Sequence, residues 1–120
     1  MKYSLKTKIS TPKAAETLDF YARVFQMKVV EEWDEPDDKG YILAFEGGES
    51  EALLEIYDVA KAHDFEGLSL QFKVENVGAF KALLPGDIES WGPVTRPWGA
   101  EYLYLTDPNG IMVIVYHGCF

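Results

Sequence analysis

The stretch TDPNGIMVIVYHG, residues 106–118, decides the fold. Asp-Pro-Asn-Gly at its left end carries residues that favour a turn. The segment that follows is apolar at every position from Ile111 to Val115. A strand with one wet face alternates, so neither face of this one is freely solvated. Ile111, Val113 and Val115 share one side, where a helix is expected. Met112, Ile114 and Tyr116 share the other, which needs a second sheet, a ligand or another subunit.

Moving outward, AEYLYLT (100–106) reads as the preceding strand, and IESWGPVT (88–95) as a strand kinked at Gly92-Pro93. LSLQFKV (68–74) alternates cleanly, and Asn76 caps a short helix carrying Val77, Phe80, Leu83 and Leu84 on one side. The same order precedes it. KYSLKTKIS (2–10) is a period-two strand with Tyr3, Leu5, Thr7 and Ile9 on one face. TPKAAETLDFYARVF follows as an amphipathic helix: Thr11 caps, Pro12 suits the first position, and Ala15, Leu18, Ala22 and Phe25 recur at helical spacing. KVVEEW (28–33), YILAFE (41–46) and EALLEIYD (51–58) are strands, separated by the charged turn EPDDKG and by GGES. The chain therefore reads β-α-β-β-β twice, an α+β fold of one domain with modules at 1–60 and 66–118. YILAFEGGESEALLEIYD echoes YLYLTDPNGIMVIVYH, which pairs Tyr57 with Tyr116, Ile56 with Val115 and Glu55 with Ile114.

A chain of 120 residues, 48% hydrophobic and 26% charged, suits one globular domain with its own core. Eleven basic against twenty acidic residues leave a net charge of −9, which repels nucleic-acid phosphates and anionic membranes. That field favours cationic small molecules or a basic partner, or serves solubility alone. The single cysteine, Cys119, allows no intrachain disulfide. MKYSLKTKIS turns polar too soon for a signal peptide, and no apolar run reaches the ~20 residues of a membrane helix. The expectation is a cytoplasmic protein.

The duplicated modules resemble the vicinal oxygen chelate superfamily, which includes glyoxalase I, bleomycin-resistance proteins and extradiol dioxygenases. AAETLDFYARVFQMKVV and RPWGAEYLYLTDPNGIMVIVYH carry the resemblance, above all DFY in the first helix and WG followed by DPNG before the last strand. Phe25-Gln26 departs from the Leu-Gly that the family often has. The resemblance implies two curved mixed sheets that together enclose a cleft, and a homodimer, with or without exchange of modules. In the family's metalloenzymes it also implies a divalent metal that acts as a Lewis acid. Its His, Gln or Glu ligands come from the first and last strands of each half.

Those four positions fall here on Ser4 or Lys6, Glu55, Ser69 and Ile114. Only Glu55 is a suitable ligand, and a catalytic metal needs about three. His63 and His117 lie in the inter-module loop and at the end of the last strand, where a solvated or locally bonded role suits them better. No metal or other cofactor is expected.

Strand parity gives the expected lining of the cleft: Lys6, Glu55, Tyr57, Ser69, Gln71, Met112, Ile114 and Tyr116, with Tyr102 and Tyr104 beside them and Trp33 and Trp98 at the rim. The alternative is that the rings only fill a core. An inward Glu55 must be paired, and Lys6 or Lys8 can reach it as an ammonium in place of a metal; the alternative puts it outward on an edge. Three functions follow. The first is a metal-independent binding protein for an aromatic or cationic small molecule. The second is a glyoxalase-like lyase or isomerase with Glu55 as general base and Tyr57 or Tyr116 as acid. The third is a non-catalytic interaction module.

Overall fold

The computed structural model describes residues 1–46 and 52–119. The expected turn at GGES (47–50) lies outside them. The chain divides into two compact units, Met1–Asp64 and Phe65–Phe120. The first contains β1 (Leu5–Thr11), α1 (Ala14–Phe25), β2 (Lys28–Glu35), β3 (Asp38–Ala44) and β4 (Ala52–Asp58). The second repeats the pattern with β5 (Ser69–Lys73), α2 (Val77–Ala82), β6 (Trp91–Thr95), β7 (Glu101–Thr106) and β8 (Met112–His117). Each unit is one four-stranded mixed sheet, ordered β1-β4-β3-β2 and β5-β8-β7-β6. The doubled β-α-β-β-β reading is therefore correct.

In each unit the first strand pairs in parallel with the last, and the remaining pairs are antiparallel. Parallel neighbours cannot be joined by a tight turn, and the helix belongs to the connection that brings the chain back. That helix covers one sheet face. In the first unit α1 packs on β4, above Ile9, Leu43, Leu54 and Ile56, all buried. In the second, α2 packs on β7 and β8, where Leu103, Leu105, Val113 and Val115 are buried. The helix expected against Val113 and Val115 is thus present.

Three local differences from the sequence expectation have clear causes. The stripe of α1 that is buried is Ala14, Thr17, Phe20, Tyr21 and Val24, not Ala15, Leu18, Ala22 and Phe25. The competing stripe spends two positions on alanine, whereas Phe20 and Tyr21 bring far more apolar area under cover. Their rings meet edge to face at 5.0 Å. Next, Thr11 ends β1 rather than capping the helix directly. Its hydroxyl accepts from Lys13 N at 2.9 Å, and Lys13 O then receives Thr17 N at 3.0 Å and the Thr17 hydroxyl at 2.7 Å. Finally, the charged turn EPDDKG is mostly strand. Glu35 pairs with Asp38, so Pro36-Asp37 alone makes a two-residue hairpin, with Asp37 at φ 62.

The kink expected at Gly92-Pro93 is present: that peptide is cis, and the β6–β7 register shifts between Trp91 and Val94. The turn before the last strand is held by Asp107, whose buried carboxylate accepts from Asn109 N at 2.8 Å and Ile111 N at 2.9 Å. Among the described residues no helix is long and apolar enough to cross a membrane.

Gln26 accounts for the Phe25-Gln26 departure. It terminates α1 at φ 55, in the left-handed region where helices commonly end on glycine. A side chain there costs roughly 1–2 kcal/mol. Gln26→Gly is expected to raise stability by about 0.5–1 kcal/mol once the extra freedom of an unfolded glycine is subtracted. Urea unfolding midpoints read the change, and an unmoved or lowered midpoint contradicts it.

Candidate functional site

The face of each sheet away from its helix carries the candidate residues, and the register groups them into rows. In the first unit, Lys8 stands opposite Glu55 and Glu55 opposite Ile42. β4 is an inner strand and Glu55 is only 9% exposed, so the outward, edge-strand alternative is excluded. A carboxylate that far from water needs compensating charge. It has two ammonium groups: Lys6 Nζ at 3.5 Å from Oε1 and Lys8 Nζ at 3.8 Å from Oε2. Both lysine side chains remain about half exposed, at 48% and 51%, so they are hydrated on one side and paired on the other.

The next row joins Ser10, Tyr57, Gly40 and Trp33. Lys8 Nζ also lies 4.3 Å from the centre of the Tyr57 ring, within cation–π range. Trp33 lies 6.5 Å from that ring, and its indole Nε1 donates to Asp38 Oδ1 at 2.9 Å. Asp38 bonds the Tyr57 side chain as well. One carboxylate at the start of β3 therefore holds both rings. The row also needs glycine at position 40. A Cβ there would stand 2.6 Å from Trp33 Cζ2 and 2.8 Å from the Ile56 carbonyl.

In the second unit, Ser69 pairs with Met112, Gln71 with Ile114 and Lys73 with Tyr116 across β5 and β8. Tyr104 continues the Ile114 row, and Tyr102 the Tyr116 row. Gln71 Nε2 donates to Ser69 Oγ at 3.4 Å. Ile114 is buried and Met112 is 48% exposed. Ring centres of Tyr102 and Tyr116 are 5.8 Å apart, those of Tyr102 and Tyr104 6.1 Å, and those of Trp98 and Tyr102 6.1 Å. Trp91 closes on Tyr104 at 5.0 Å. Arg96 stands over both tyrosines, its guanidinium carbon 5.6 Å from the centre of Tyr102 and 5.5 Å from that of Tyr104.

A sequence model of the Glyoxalase/Bleomycin resistance protein/Dioxygenase superfamily matches residues 5–115. The chain belongs to that superfamily. Solved structures agree in fold. TnmS3, an antibiotic binding protein from a Streptomyces species, superposes with a TM-score of 0.75 at 20% identity, covering 99% of both chains. The genomically encoded fosfomycin resistance protein FosX from Listeria monocytogenes gives 0.80 at 9% identity, covering 100% of this chain and 96% of its own. An integron cassette protein from the Halifax Harbour sewage outfall gives 0.78 at 18% identity over 98% and 100%. At these identities the likeness establishes the fold. No curated protein sequence matches.

The residues at the superfamily's metal positions do not suit a metal. Glu55 is the one carboxylate of the four, and its charge already faces two ammonium groups. Its counterpart Ile114 has no donor atom, and Ser69 is a poor ligand. Of the first-strand candidates, Ser4 precedes β1 and Lys6 is a cation. Among the described residues no three His, Cys, Asp or Glu side chains converge. His117 Nδ1 lies 2.9 Å from the Val74 carbonyl, a local bond, and His63 is exposed.

Three contributors escaped the sequence reading: Asp38, Arg96 and Trp91. Asp38 sat inside an apparent charged turn, where a carboxylate looks like solvated surface. Arg96 and Trp91 sit at irregular backbone, where strand parity assigns no face. Their proximity to the alternating tyrosines of β7 was the available clue.

The Tyr57 hydroxyl is harder to ionise than an ordinary tyrosine, whose value is 10.0. The hydrogen bond to Asp38 is the leading cause, then partial desolvation and the charges of Asp38 and Glu55. A value raised on folding favours the neutral phenol. Its contribution to stability is complete below the unfolded value near 10 and is lost as pH climbs through the folded one. Asp38→Asn is expected to lower the Tyr57 titration toward 10, read by NMR of ring-labelled tyrosine. An unchanged titration contradicts the Asp38 contact.

Proposed function

We propose that the protein binds a small aromatic molecule without a metal, sequestering it in the manner of bleomycin-resistance proteins. The Lys6–Glu55–Lys8 group carries this reading. In a metalloenzyme of the superfamily this carboxylate would face a cation of the solution, whereas here the chain supplies the cations itself. The charge is satisfied and no Lewis acid is required to hold Glu55 in place. What both sheet faces then offer a ligand is ring surface: Trp33 and Tyr57 in one unit, and Tyr102, Tyr104, Tyr116 and Trp98 in the other, with Ser69, Gln71, Met112 and Ile114 beside them. The antibiotic-binding description of TnmS3 and the fosfomycin resistance of FosX support a small-molecule role on this fold. The cationic ligands that the net charge of −9 would attract are less favoured, because Lys8 and Arg96 stand among the rings. The reading includes a homodimer acting in the cytoplasm, the former checked by light scattering after gel filtration.

One observation supports an enzyme instead. Glu55 and Tyr57 lie two residues apart on the same face of β4, as a general base and acid would in a glyoxalase-like lyase or isomerase. Loss of turnover in Glu55→Gln without added metal would favour that reading.

Binding is tested by thermal unfolding with chelator present, across a panel of aromatic antibiotics and heteroaromatic dyes. A ligand at 100 times its Kd adds about 2.7 kcal/mol of stability. Stabilisation by at least one aromatic compound is expected, with affinity reduced roughly three- to tenfold by Trp98→Ala or Tyr102→Ala. A panel that leaves the melting temperature untouched overturns the proposal.

A further inference from the structure

Arg96 distinguishes the helix-free face of the second unit. Its guanidinium stands over Tyr102 and Tyr104, and among the described residues no carboxylate lies within ion-pair distance. This is unusual in a chain with twenty acidic residues. Alternation explains it. The strands of this unit carry one acid, Glu101, which falls on the opposite face from Tyr102. Lys73, in register with Tyr116 and through it with Tyr102, adds a second cation to the Arg96 face. Arg96 and Lys73 thus lie on the aromatic face, and no strand residue of this unit adds a carboxylate to it.

The side chain is also placed by its backbone. Arg96 N donates to Ala100 O at 2.7 Å and Gly99 N to Arg96 O at 2.9 Å, with Gly99 at φ 92. This closed turn presents Arg96 and Trp98 together at the edge of the tyrosines. Ring contacts engage the flat face of a guanidinium and leave its N–H fork able to grip a planar anion by two parallel bonds. Trp91 and Trp98, 63% and 56% exposed, offer further ring surface at 5.0 Å from Tyr104 and 6.1 Å from Tyr102.

We infer that the ligand is an aromatic anion, with its rings on the Trp–Tyr cluster and a carboxylate or similar group on the Arg96 guanidinium. The inference rests on the binding function proposed above and narrows its ligand class. Neutral aromatics gain the stacking alone, and aromatic cations meet Arg96 and Lys73 as like charges.

Isothermal titration with three probes of one ring system tests it: 2-naphthoate, 2-naphthalenemethanol and 2-naphthylmethylammonium. Naphthoate is expected to bind roughly tenfold or more tighter than the alcohol, and the ammonium weakest. In Arg96→Gln, naphthoate should fall to the affinity that the alcohol shows for the same variant. Arg96→Lys should keep part of the preference, because the charge survives and the fork does not. Equal affinities for the three probes, a preference for the ammonium, or a naphthoate advantage that survives Arg96→Gln each overturn the inference and leave aromatic binding standing. Arg96→Gln abolishing the binding of all three makes Arg96 a scaffold residue and overturns it too. Binding of none of the probes by the native protein removes both the inference and the binding function on which it rests.

Discussion

The parallel pairing of each module's first strand with its last is the constraint on which the rest depends. It sets the chain's ends of a module side by side and leaves a connection that only a crossover can make. The helix of that crossover covers one sheet face, so the other is left for side chains with a different task. The same pairing decides which residues meet on that face. Lys8 meets Glu55 in one unit and Gln71 meets Ile114 in the other. The charged site and its apolar counterpart are thus consequences of one register applied twice to diverged sequences.

The divergence is chiefly electrostatic. At equivalent places the first unit has a carboxylate under two lysines and the second an aliphatic side chain among rings. Both arrangements avoid an unpaired buried charge, one by neutralising it and the other by omitting it. The tyrosines at 57 and 116 are common to both, and each has a cation nearby: Lys8 over Tyr57, and Lys73 in register with Tyr116. Rings beside cations recur in both units, and the proposed binding of flat molecules is built on this pattern.

Much of this was legible in the sequence because period and turn chemistry are local. The alternation of LSLQFKV, the apolar run of the last strand and the DPNG turn each specify an element with no help from distant residues. A buried Glu55 paired with Lys6 or Lys8 was also readable as one of two alternatives, since the cost of a buried carboxylate depends on residue type. The face of α1 was not, because two apolar stripes competed and only the sheet beneath could choose the one bearing Phe20 and Tyr21. Asp38 and Arg96 were hidden for a different reason. Each acts from the end of a strand, through a tight hairpin or a closed turn, where side-chain direction depends on backbone angles and not on period.

The central claim is that Glu55 is committed to Lys6 and Lys8 and serves no metal. Direct titration of the chelator-treated protein with Zn²⁺, Ni²⁺ and Mn²⁺, run beside Glu55→Gln, tests it most directly. The account predicts that the native protein and the variant give the same titration, any weak binding at surface groups included. Stoichiometric binding by the native protein that disappears in Glu55→Gln would contradict it.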